Sequence, residues 1–560
     1  MKCALLSNVN VESIARHMQR HEVHLAEGYG LWTQELANPV SGTFGFDPSS
    51  VFLIVDGAEL FRVDGTAEST LAEADEQLDW IVRAAERSSG IKFFVSTIDV
   101  PIQALRPLKD HQLERQLEQH WYERIARASA THPNIYIVDL KELVEQLGRS
   151  TFYSYKRWYL GGLRFSTAGE KLIAKTLERI LDAQLVARKK CLLLDLDNTL
   201  WGGIIGEDGL TGIQLSESGA GARYRDFQRR IRDLTKMGVI LGIVSKNNEA
   251  DALEVFEKHE HMVLSKSDFA ALKINWSPKT QNIVELAQDL DLGIDSMVFI
   301  DDNPVERESV RSALPEVTVP EFPMDTSELP AFIEQVYKDY FFTLESTAED
   351  RKRTEVYLAN AKRAAERSAA PSADEFLTGL RTKIFFAPVN EEDLSRAAQL
   401  TQKTNQFNLT TRRYTEQELR TLQAIPGAKV FMASVADKYG DNGKVCVSIV
   451  RKVANDTAEL DTFLMSCRVM GRFIEDQILD QLVKDLRADG LSKLRVPFIP
   501  TKKNAPARAF VERLEGGRLT SDEASGMQTW EFDIAESSPV SKIGYAEFLT
   551  QPVSLSEVNL

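Results

Sequence analysis

The sequence predicts an α/β chain of several domains, with parallel sheets in its amino-terminal and central parts and an α+β part after them. Short apolar runs alternate with amphipathic segments, which is typical of parallel sheets covered by helices. Near the carboxyl end, longer strands precede one long amphipathic helix, and this favours an α+β arrangement. A chain of 560 residues is too long to fold around a single hydrophobic core, so two to four domains are expected.

The first predicted domain comprises residues 1–188. Its apolar strands are KCALLSNV, SVFLIVDG, IKFFVSTID and NIYIVDL, with amphipathic segments between them, which predicts a doubly wound sheet. The segment LGGLRFSTAGEKLIAKTL resembles the last block of SGNH-type esterases, where an Asp-x-x-His pair precedes a helix. Gly162 and Phe165 stand at those two positions. The resemblance therefore implies a scaffold or docking domain of SGNH-like shape without esterase activity.

The central domain, predicted at residues 189–344, begins with an informative pair of carboxylates. The apolar strand CLLL is followed by Asp195, one spacer residue and Asp197. Carboxylates at the carboxyl edge of a buried strand can share Mg²⁺, and one of them can attack phosphorus. A lone acidic pair would be explained as well by a simple turn, but three further blocks accompany this one.

Each further block places a polar residue at a strand end or a helix start. The strand in VILGIVSKNN ends on Ser245, and Lys246 and Asn247 follow it. WSPKTQNIVELAQDL has a helix start signal in Ser277 and Pro278, with Lys279 in the first turn. The strand in MVFIDDNPVE ends on Asp301 and Asp302. A hydroxyl and a cation beside exposed helix amides suit a phosphoryl group. A surface lysine or an ordinary turn would explain one block, but not the ordered set.

This ordered set resembles the haloacid dehalogenase (HAD) superfamily of aspartate-dependent phosphotransferases. The resemblance implies that Asp195 forms an aspartyl phosphate and that Asp197 acts as acid and base. It implies phosphate binding by Ser245 and Lys279, with Lys246 and Asn247 beside them. It also implies Mg²⁺ held by Asp195, Asp301 and Asp302, with the backbone carbonyl of Asp197. About 50 residues separate Asp195 from Ser245 and about 34 separate Ser245 from Lys279, too few for a cap domain.

The carboxyl-terminal part begins after a charged connector. Residues 345–375 are predicted as a connector helix with a solvated charged face, ending in a Ser/Ala/Pro break. Residues 376–535 contain the strands AKVFMASVAD, KVCVSIVRKV and ELDTFLMSCRV and the helix in GRFIEDQILDQLVKDLRADG. The tail, residues 536–560, is polar and weakly patterned, and no role is assigned to it.

The junction TFLMSCRVMGRFIE is the second informative site. Arg468-x-x-Gly471 between a strand and a helix resembles the acyl-CoA-binding turn of GNAT acyltransferases, although Phe473 replaces their usual small residue. Cys467, beside Arg468 and Arg472, is predicted to carry an acyl group as a thiolate, or alternatively to be a packed strand residue. Asn405 and Arg412, after a preceding helix, are predicted to contact substrate or pantetheine, with turn chemistry as an equal alternative.

Taken together, DLDNTLWGGIIGEDG, TQKTNQFNLTTRRYT, YGDNGKVCVSIV and FLMSCRVMGRFIE resemble the FkbH-like family over about residues 189–510. The family implies that the glyceryl group of 1,3-bisphosphoglycerate is captured and its phosphates are lost. The group then passes to the phosphopantetheine thiol of an acyl carrier protein for polyketide-type assembly. Mg²⁺ is the implied cofactor. Two alternatives stay open, namely a HAD phosphatase of a small metabolite and a scaffold whose outer domains dock a synthase.

Composition excludes several other classes of protein. A net charge of −16 argues against nucleic acid as the main partner, because phosphate backbones demand a basic surface. No apolar run approaches the ~20 residues of a membrane-spanning helix, and the four cysteines show no metal-ligand spacing. Without a signal-peptide core, a cytoplasmic location is expected.

Overall fold

The protein is described here by a computed structural model in which the chain divides into two compact units. The first unit is Met1–Arg188 with Phe342–Leu344, and the second is Lys189–Phe341 with Glu345–Leu560. The structure describes residues 1–26, 30–60, 66–101, 105, 107, 113–185, 188–290, 292–346, 357, 359–360, 363, 366–367, 370–466, 469–522, 526–541 and 544–550. No helix in these ranges is both long and apolar enough for a membrane crossing.

The first unit is built on a five-stranded parallel sheet in the order β2-β1-β3-β4-β5. Its strands are β1 Lys2–Ser7, β2 Glu22–Leu25, β3 Ser50–Ile54, β4 Lys92–Ser96 and β5 Ile135–Val138. Its helices are α1 Glu12–His17, α2 Trp32–Ala37, α3 Gly42–Gly45, α4 Gly57–Leu60, α5 Ala67–Arg87, α6 Leu113–Thr131, α7 Leu140–Leu147, α8 Arg149–Phe152, α9 Tyr155–Gly161 and α10 Thr167–Leu185. The sequence predicted every strand except β2, which is short and only partly buried.

Helices cover both faces of this sheet. Neighbouring residues of β1 point to opposite sides, so that Leu5 packs in one hydrophobic cluster and Leu6 in another. Gly162 adopts a left-handed conformation that ends α9, and Phe165 is buried against Phe152. The positions where an esterase would place its acid and base therefore serve as a helix stop and a core residue.

The central part of the chain has a four-stranded parallel sheet in the order β8-β7-β6-β9. Its strands are β6 Cys191–Leu194, β7 Ile240–Ser245, β8 Phe269–Ile274 and β9 Met297–Ile300. Its helices are α11 Ile205–Gly212, α12 Ala222–Lys236, α13 Glu249–Lys258, α14 Lys279–Asp289, α15 Pro304–Ala313 and α16 Leu329–Val336. Each strand is short and almost wholly apolar because helices bury both faces of the sheet.

The carboxyl-terminal part has a mixed sheet in the order β16-β17-β15-β14-β13-β12-β10-β18, with β11 paired to β14. Its strands are β10 Thr382–Pro388, β11 Phe407–Asn408, β12 Ala428–Asp437, β13 Gly440–Lys452, β14 Thr457–Met465, β15 Lys493–Phe498, β16 Arg518–Asp522, β17 Met527–Asp533 and β18 Ala546–Leu549. Its helices are α17 Ala373–Gly379, α18 Leu394–Lys403, α19 Glu416–Gln423, α20 Ile474–Ala488 and α21 Ala505–Glu512. The apolar side of α20 packs into the core against this sheet.

Two features of this part differ from the sequence prediction. Arg363, in the connector predicted to have a solvated face, is only 4% exposed and donates two hydrogen bonds to Asp437, at 2.8 and 2.7 Å. The tail also contributes structure, because β18 pairs in parallel with β10. Both contacts join distant segments of the chain, so local composition gave no sign of them.

Candidate functional site

The candidate site lies where the carboxyl ends of β6, β7 and β9 meet the start of α14. Asp195 follows β6, and its backbone N–H donates to the carbonyl of Ile300, 3.0 Å away on β9. Asp301 and Asp302 follow β9, and Ser245 ends β7. The parallel register of these strands brings the ends to one edge of the sheet, where ligands bind in such folds.

Lys279, the first residue of α14, is at the centre of the charged contacts. Its Nζ lies 2.9 Å from Asp195 Oδ2 and 2.6 Å from Asp301 Oδ2. The side chain is only 4% exposed. Burial alone lowers the pKa of a lysine, but the charges of Asp195 and Asp301 outweigh it and raise the pKa of Lys279. The ammonium group is therefore held charged beside both carboxylates.

Three carboxylates, those of Asp195, Asp301 and Asp302, have oxygens within 4.8 Å of one another. Burial raises the pKa of Asp301 to about 6, with the charge of Asp195 adding to the effect and Lys279 opposing it. Burial and Asp195 also raise the pKa of Asp302. Three ionised carboxylates beside one charged lysine have a net charge of about −2, which a divalent cation would neutralise. All the available ligand atoms are oxygens, which hard divalent cations prefer. The residues present thus fit Mg²⁺.

Asp197 is placed differently from the other acidic residues. Its Oδ1 accepts from the indole Nε1 of Trp201 at 2.9 Å and from the backbone N–H of Ile205 at 3.1 Å. Its Oδ2 accepts from Nδ2 of Asn247 at 2.8 Å. Burial nevertheless raises the pKa of Asp197, and the charge of Asp195 adds to the effect. Its side chain is not a member of the three-carboxylate group, and the metal contact predicted for this residue is made by its backbone carbonyl.

The predicted phosphate-binding residues are arranged around these carboxylates. Ser245 is 1% exposed, and its hydroxyl has no hydrogen-bond partner among the described residues, which suits an incoming phosphoryl oxygen. The side-chain amide of Asn247 donates its hydrogen bond to Asp197. Lys246 instead pairs with Glu306 on α15 at 2.6 Å. Its ammonium group is thus engaged outside the carboxylate group.

Arg307 on α15 is a residue that the sequence interpretation missed. One of its guanidinium nitrogens donates to the backbone carbonyls of Asp301, at 2.9 Å, and Asp302, at 2.7 Å. The second terminal nitrogen donates to Glu321 at 3.2 Å. Arg307 therefore fixes the backbone that carries two of the three carboxylates. An arginine in the helix turn after the Asp-Asp pair was the available signal, but the contact depends on how that turn folds back.

The predicted site residues of the carboxyl-terminal part are mostly engaged in internal contacts. Arg412 pairs with the buried carboxylate of Asp461, and Asn405 accepts from Arg413. Arg472 pairs with Asp437 at 2.9 Å. Burial lowers the pKa of Arg472 to about 10, with Arg363 adding to the effect.

Gly471 has a φ of 73°, the left-handed conformation that a glycine turn requires. Cys467 and Arg468 lie outside the described residues. The other three cysteines, at positions 3, 191 and 446, are free and buried. Burial raises the pKa of each of these thiols. They are therefore core residues with little thiolate character.

The chain is similar to several solved structures. One is the N-terminal part of a Bacteroides fragilis protein that contains a phosphatase domain, in complex with Mg; it is 29% identical, covers 62% of this chain and 94% of that chain, and has a TM-score of 0.54. The ribosomal-protein-S18-alanine N-acetyltransferase from Escherichia coli is 15% identical, covers 29% of this chain and 99% of that chain, and has a TM-score of 0.22. The PaiA N-acetyltransferase from Thermoplasma acidophilum, in complex with coenzyme A, is 15% identical, covers 27% and 98% of the two chains, and has a TM-score of 0.21.

No protein-family model and no curated protein matches the chain. The likeness to the Bacteroides fragilis phosphatase-containing structure supports a HAD-type phosphatase, as the strand-end residues predicted. The Mg in that structure agrees with the cofactor predicted from the sequence and with the group of three carboxylates found here.

Proposed function

We propose that this chain is a Mg²⁺-dependent phosphatase coupled to a glyceryl transferase. It takes the glyceryl group of 1,3-bisphosphoglycerate, removes phosphate and loads the group on the phosphopantetheine thiol of an acyl carrier protein. The observation that carries the phosphatase part is the buried group of Asp195, Lys279, Asp301 and Asp302 at adjoining strand ends. The transferase part rests on the FkbH-like motifs and on the place of Cys467 in the sequence, directly before Arg468-x-x-Gly471.

The phosphatase reaction follows from the roles of three residues. A carboxylate oxygen of Asp195 attacks phosphorus, and the bond from phosphorus to the glyceryl oxygen breaks while Asp197 gives that oxygen a proton. Asp197 then takes a proton from water, whose oxygen attacks the aspartyl phosphate and releases phosphate. Lys279 holds a phosphoryl oxygen throughout. Bound by Asp195, Asp301 and Asp302, Mg²⁺ would offset the negative charge that gathers there.

The surroundings of Asp197 support its role as acid and base. Burial raises its pKa, which favours the protonated form that an acid needs. The three donors from Trp201, Ile205 and Asn247 favour the ionised form, which a base needs. A carboxyl group balanced between these influences can give a proton and take it back within one turnover.

The lack of an inserted cap domain between Asp195 and Lys279 supports a substrate attached to another protein. From Asp195 to Lys279, where the structure describes every residue, the chain forms β7, β8 and α11–α13 and no inserted domain. Trp276, three residues before Lys279, is 74% exposed. A site without an inserted cap admits the end of a pantetheine arm more readily than an enclosed pocket does.

The transfer step is ordinary thiol chemistry. The thiolate of Cys467 attacks the acyl carbon of the acyl phosphate, and the carbon–oxygen bond to phosphate breaks, which leaves a thioester. The carrier thiolate attacks that thioester, and Cys467 leaves as thiolate. The remaining phosphate monoester is among the slowest esters to hydrolyse without a catalyst, so a dedicated phosphatase site is required.

The experiment mixes the protein with 1,3-bisphosphoglycerate and a phosphopantetheinylated carrier and weighs both proteins by mass spectrometry. A glyceryl adduct on the carrier supports the proposal. Phosphate release without an adduct supports a phosphatase of a small metabolite, and no reaction supports a scaffold. Cys467→Ala should block loading of the carrier, while the same variant still removes phosphate from a preloaded phosphoglyceryl carrier. Loading by Cys467→Ala at the wild-type rate would instead indicate direct attack by the carrier thiol.

The other parts of the chain take supporting roles in this proposal. The sheet of residues 1–188 serves as a docking domain, residues 189–344 hold the phosphatase, and residues 376–535 hold the transferase, joined by the connector 345–375. The acidic net charge of −16 supports a protein partner over nucleic acid.

A further inference from the structure

The parallel strands β14 and β15 pair over only part of their length. Thr457–Glu459 of β14 are in register with Lys493–Arg495 of β15, and the pairing stops there. β14 continues to Met465 and β15 to Phe498. Facing edges of two strands that no longer pair expose N–H and C=O groups, which bind an extended chain that carries amides. A pantetheine arm is such a chain, and the gap between β14 and β15 is where it would be expected to insert.

This gap, which we call the slot, is filled by the chain itself. Phe407 and Asn408 of β11 pair antiparallel with Met465 and Leu464 of β14. The backbone N–H of Leu409 donates to the carbonyl of Phe463 on β14 at 3.1 Å. On the other side, the N–H of Ile499, just after β15, donates to the carbonyl of Leu409 at 2.9 Å. Residues 407–409 thus join the two strands as an internal strand.

Side chains fix this internal strand in place. Asn408 is fully buried, and its side chain donates to the carbonyl of Thr404 at 3.2 Å and accepts from the N–H of Thr411 at 2.9 Å. Asn504, which is 1% exposed, donates to the carbonyls of Asn408 at 3.1 Å and Ile499 at 2.9 Å. A segment with this many buried partners is part of the core, and its removal would leave several polar groups unpaired.

The helix start beyond the slot is also unsuited to a pyrophosphate. The first turn of α20 carries Glu475 and Asp476, which are 6% and 2% exposed. Both carboxylates pair with Arg513, Glu475 at 2.8 Å. Two buried acids at the N-terminus of α20 already compensate the positive end of the helix dipole, so this helix start offers less to a bound phosphate than one without acids. The acidic first turn of α20 is thus a second reason, separate from the filled slot, why this part does not suit CoA.

We infer that residues 407–409 close the slot to coenzyme A and to the carrier's pantetheine arm. The carboxyl-terminal part therefore takes its acyl group from a donor other than a CoA thioester, and the carrier thiol approaches from outside β14 and β15. The statement about the carrier rests on the proposed function, whereas the statement about CoA does not. Gly471, the described end of the acyl-CoA-type turn predicted from the sequence, thus belongs to a part of the fold that does not accept CoA.

Hydrogen exchange of the full chain, read at the backbone amides of Leu409 and Ile499, tests this inference. With free coenzyme A, and separately with holo-carrier under loading conditions, both amides should exchange as slowly as in the protein alone. An increase in exchange at either amide, caused by either additive, would overturn the closure.

Two variants calibrate this readout. Asn504→Ala removes the two hydrogen bonds to the carbonyls of Asn408 and Ile499 and the bond that Asn504 Oδ1 accepts from the backbone N–H of Thr501. Exchange at Ile499 should rise about five- to tenfold. If that variant does not fold, Thr410→Val serves instead, because it removes only the 2.8 Å bond from Thr410 Oγ1 to the carbonyl of Asp461. Absence of carrier loading in wild type would count against the proposed function, while the measurement with free CoA would still decide whether the slot is closed.

Discussion

The charge balance of the phosphatase site predicts different effects for two lysines with equally short contacts. Lys279 lies 2.6 Å from Asp301 Oδ2 and Lys246 lies 2.6 Å from Glu306 Oε1, yet their side chains are 4% and 37% exposed. Removing one partner of a buried charged pair costs ~3–5 kcal/mol, whereas an exposed pair is worth ~0.2–1 kcal/mol. Burial, and not distance, should therefore decide the effect of each substitution.

We expect Lys279→Met in metal-free protein to speed local hydrogen exchange at β6 and β9 by about 10²- to 10³-fold, since 1.4 kcal/mol corresponds to a factor of ten. Lys246→Met, the matched control, should change exchange at these strands by less than about fivefold. Adding Mg²⁺ should slow hydrogen exchange in Lys279→Met again, because a divalent cation offsets the negative charge of the carboxylates that have lost their lysine partner. Equal exchange in the two variants would refute the assignment of Lys279 as the cation that holds the carboxylate group together.

Three other predictions concern positions outside this pair. Arg307→Met should weaken Mg²⁺ binding, measured by calorimetry, about tenfold or more, because the backbone of Asp301 and Asp302 loses its two donors; an unchanged affinity would contradict this. Burial raises the pKa of Asp56 to about 6 despite Arg164, so the folded first unit binds more protons than the unfolded chain between pH ~4 and ~6 and loses stability as pH rises through that range. Asp56→Asn should make the stability of the first unit less dependent on pH over this range, measured by hydrogen exchange of β3 amides at several pH values. The first unit should also lack esterase activity, and short-ester hydrolysis that survives Asp195→Asn but is lost on deleting residues 1–185 would show otherwise.

The sequence predicted the convergence of the phosphatase site because it depends on local patterns. Apolar strands that end on Asp195, Ser245 and Asp301 must bring these residues to one edge once the strands are parallel. The partners of these residues were less predictable. Asn247 was expected at the phosphate but bonds to Asp197, and Lys246 pairs with Glu306.

Contacts between distant segments were not predictable from single blocks. β11 is two residues long, and its partner residues Leu464 and Met465 on β14 lie more than 50 residues further along the chain, so no periodicity marks it. Arg363 occurs in a run of charged residues whose composition predicts a solvent-exposed helix. Its ion pair with the buried carboxylate of Asp437 shows that this arginine belongs to the interior. The local sequence shows where the charged residues are, whereas the tertiary structure determines which of them form ion pairs.

The most direct test of the central claim is chemical trapping of the covalent intermediate on Asp195. During turnover of a phosphoglyceryl substrate with Mg²⁺, the protein is quenched in acid and treated with borohydride, which reduces an aspartyl phosphate to homoserine. We predict homoserine at position 195 in the peptide mass map, absent from Asp195→Asn and from protein without substrate. Phosphate release at the wild-type rate by Asp195→Asn, or trapping at a different aspartate, would contradict the account.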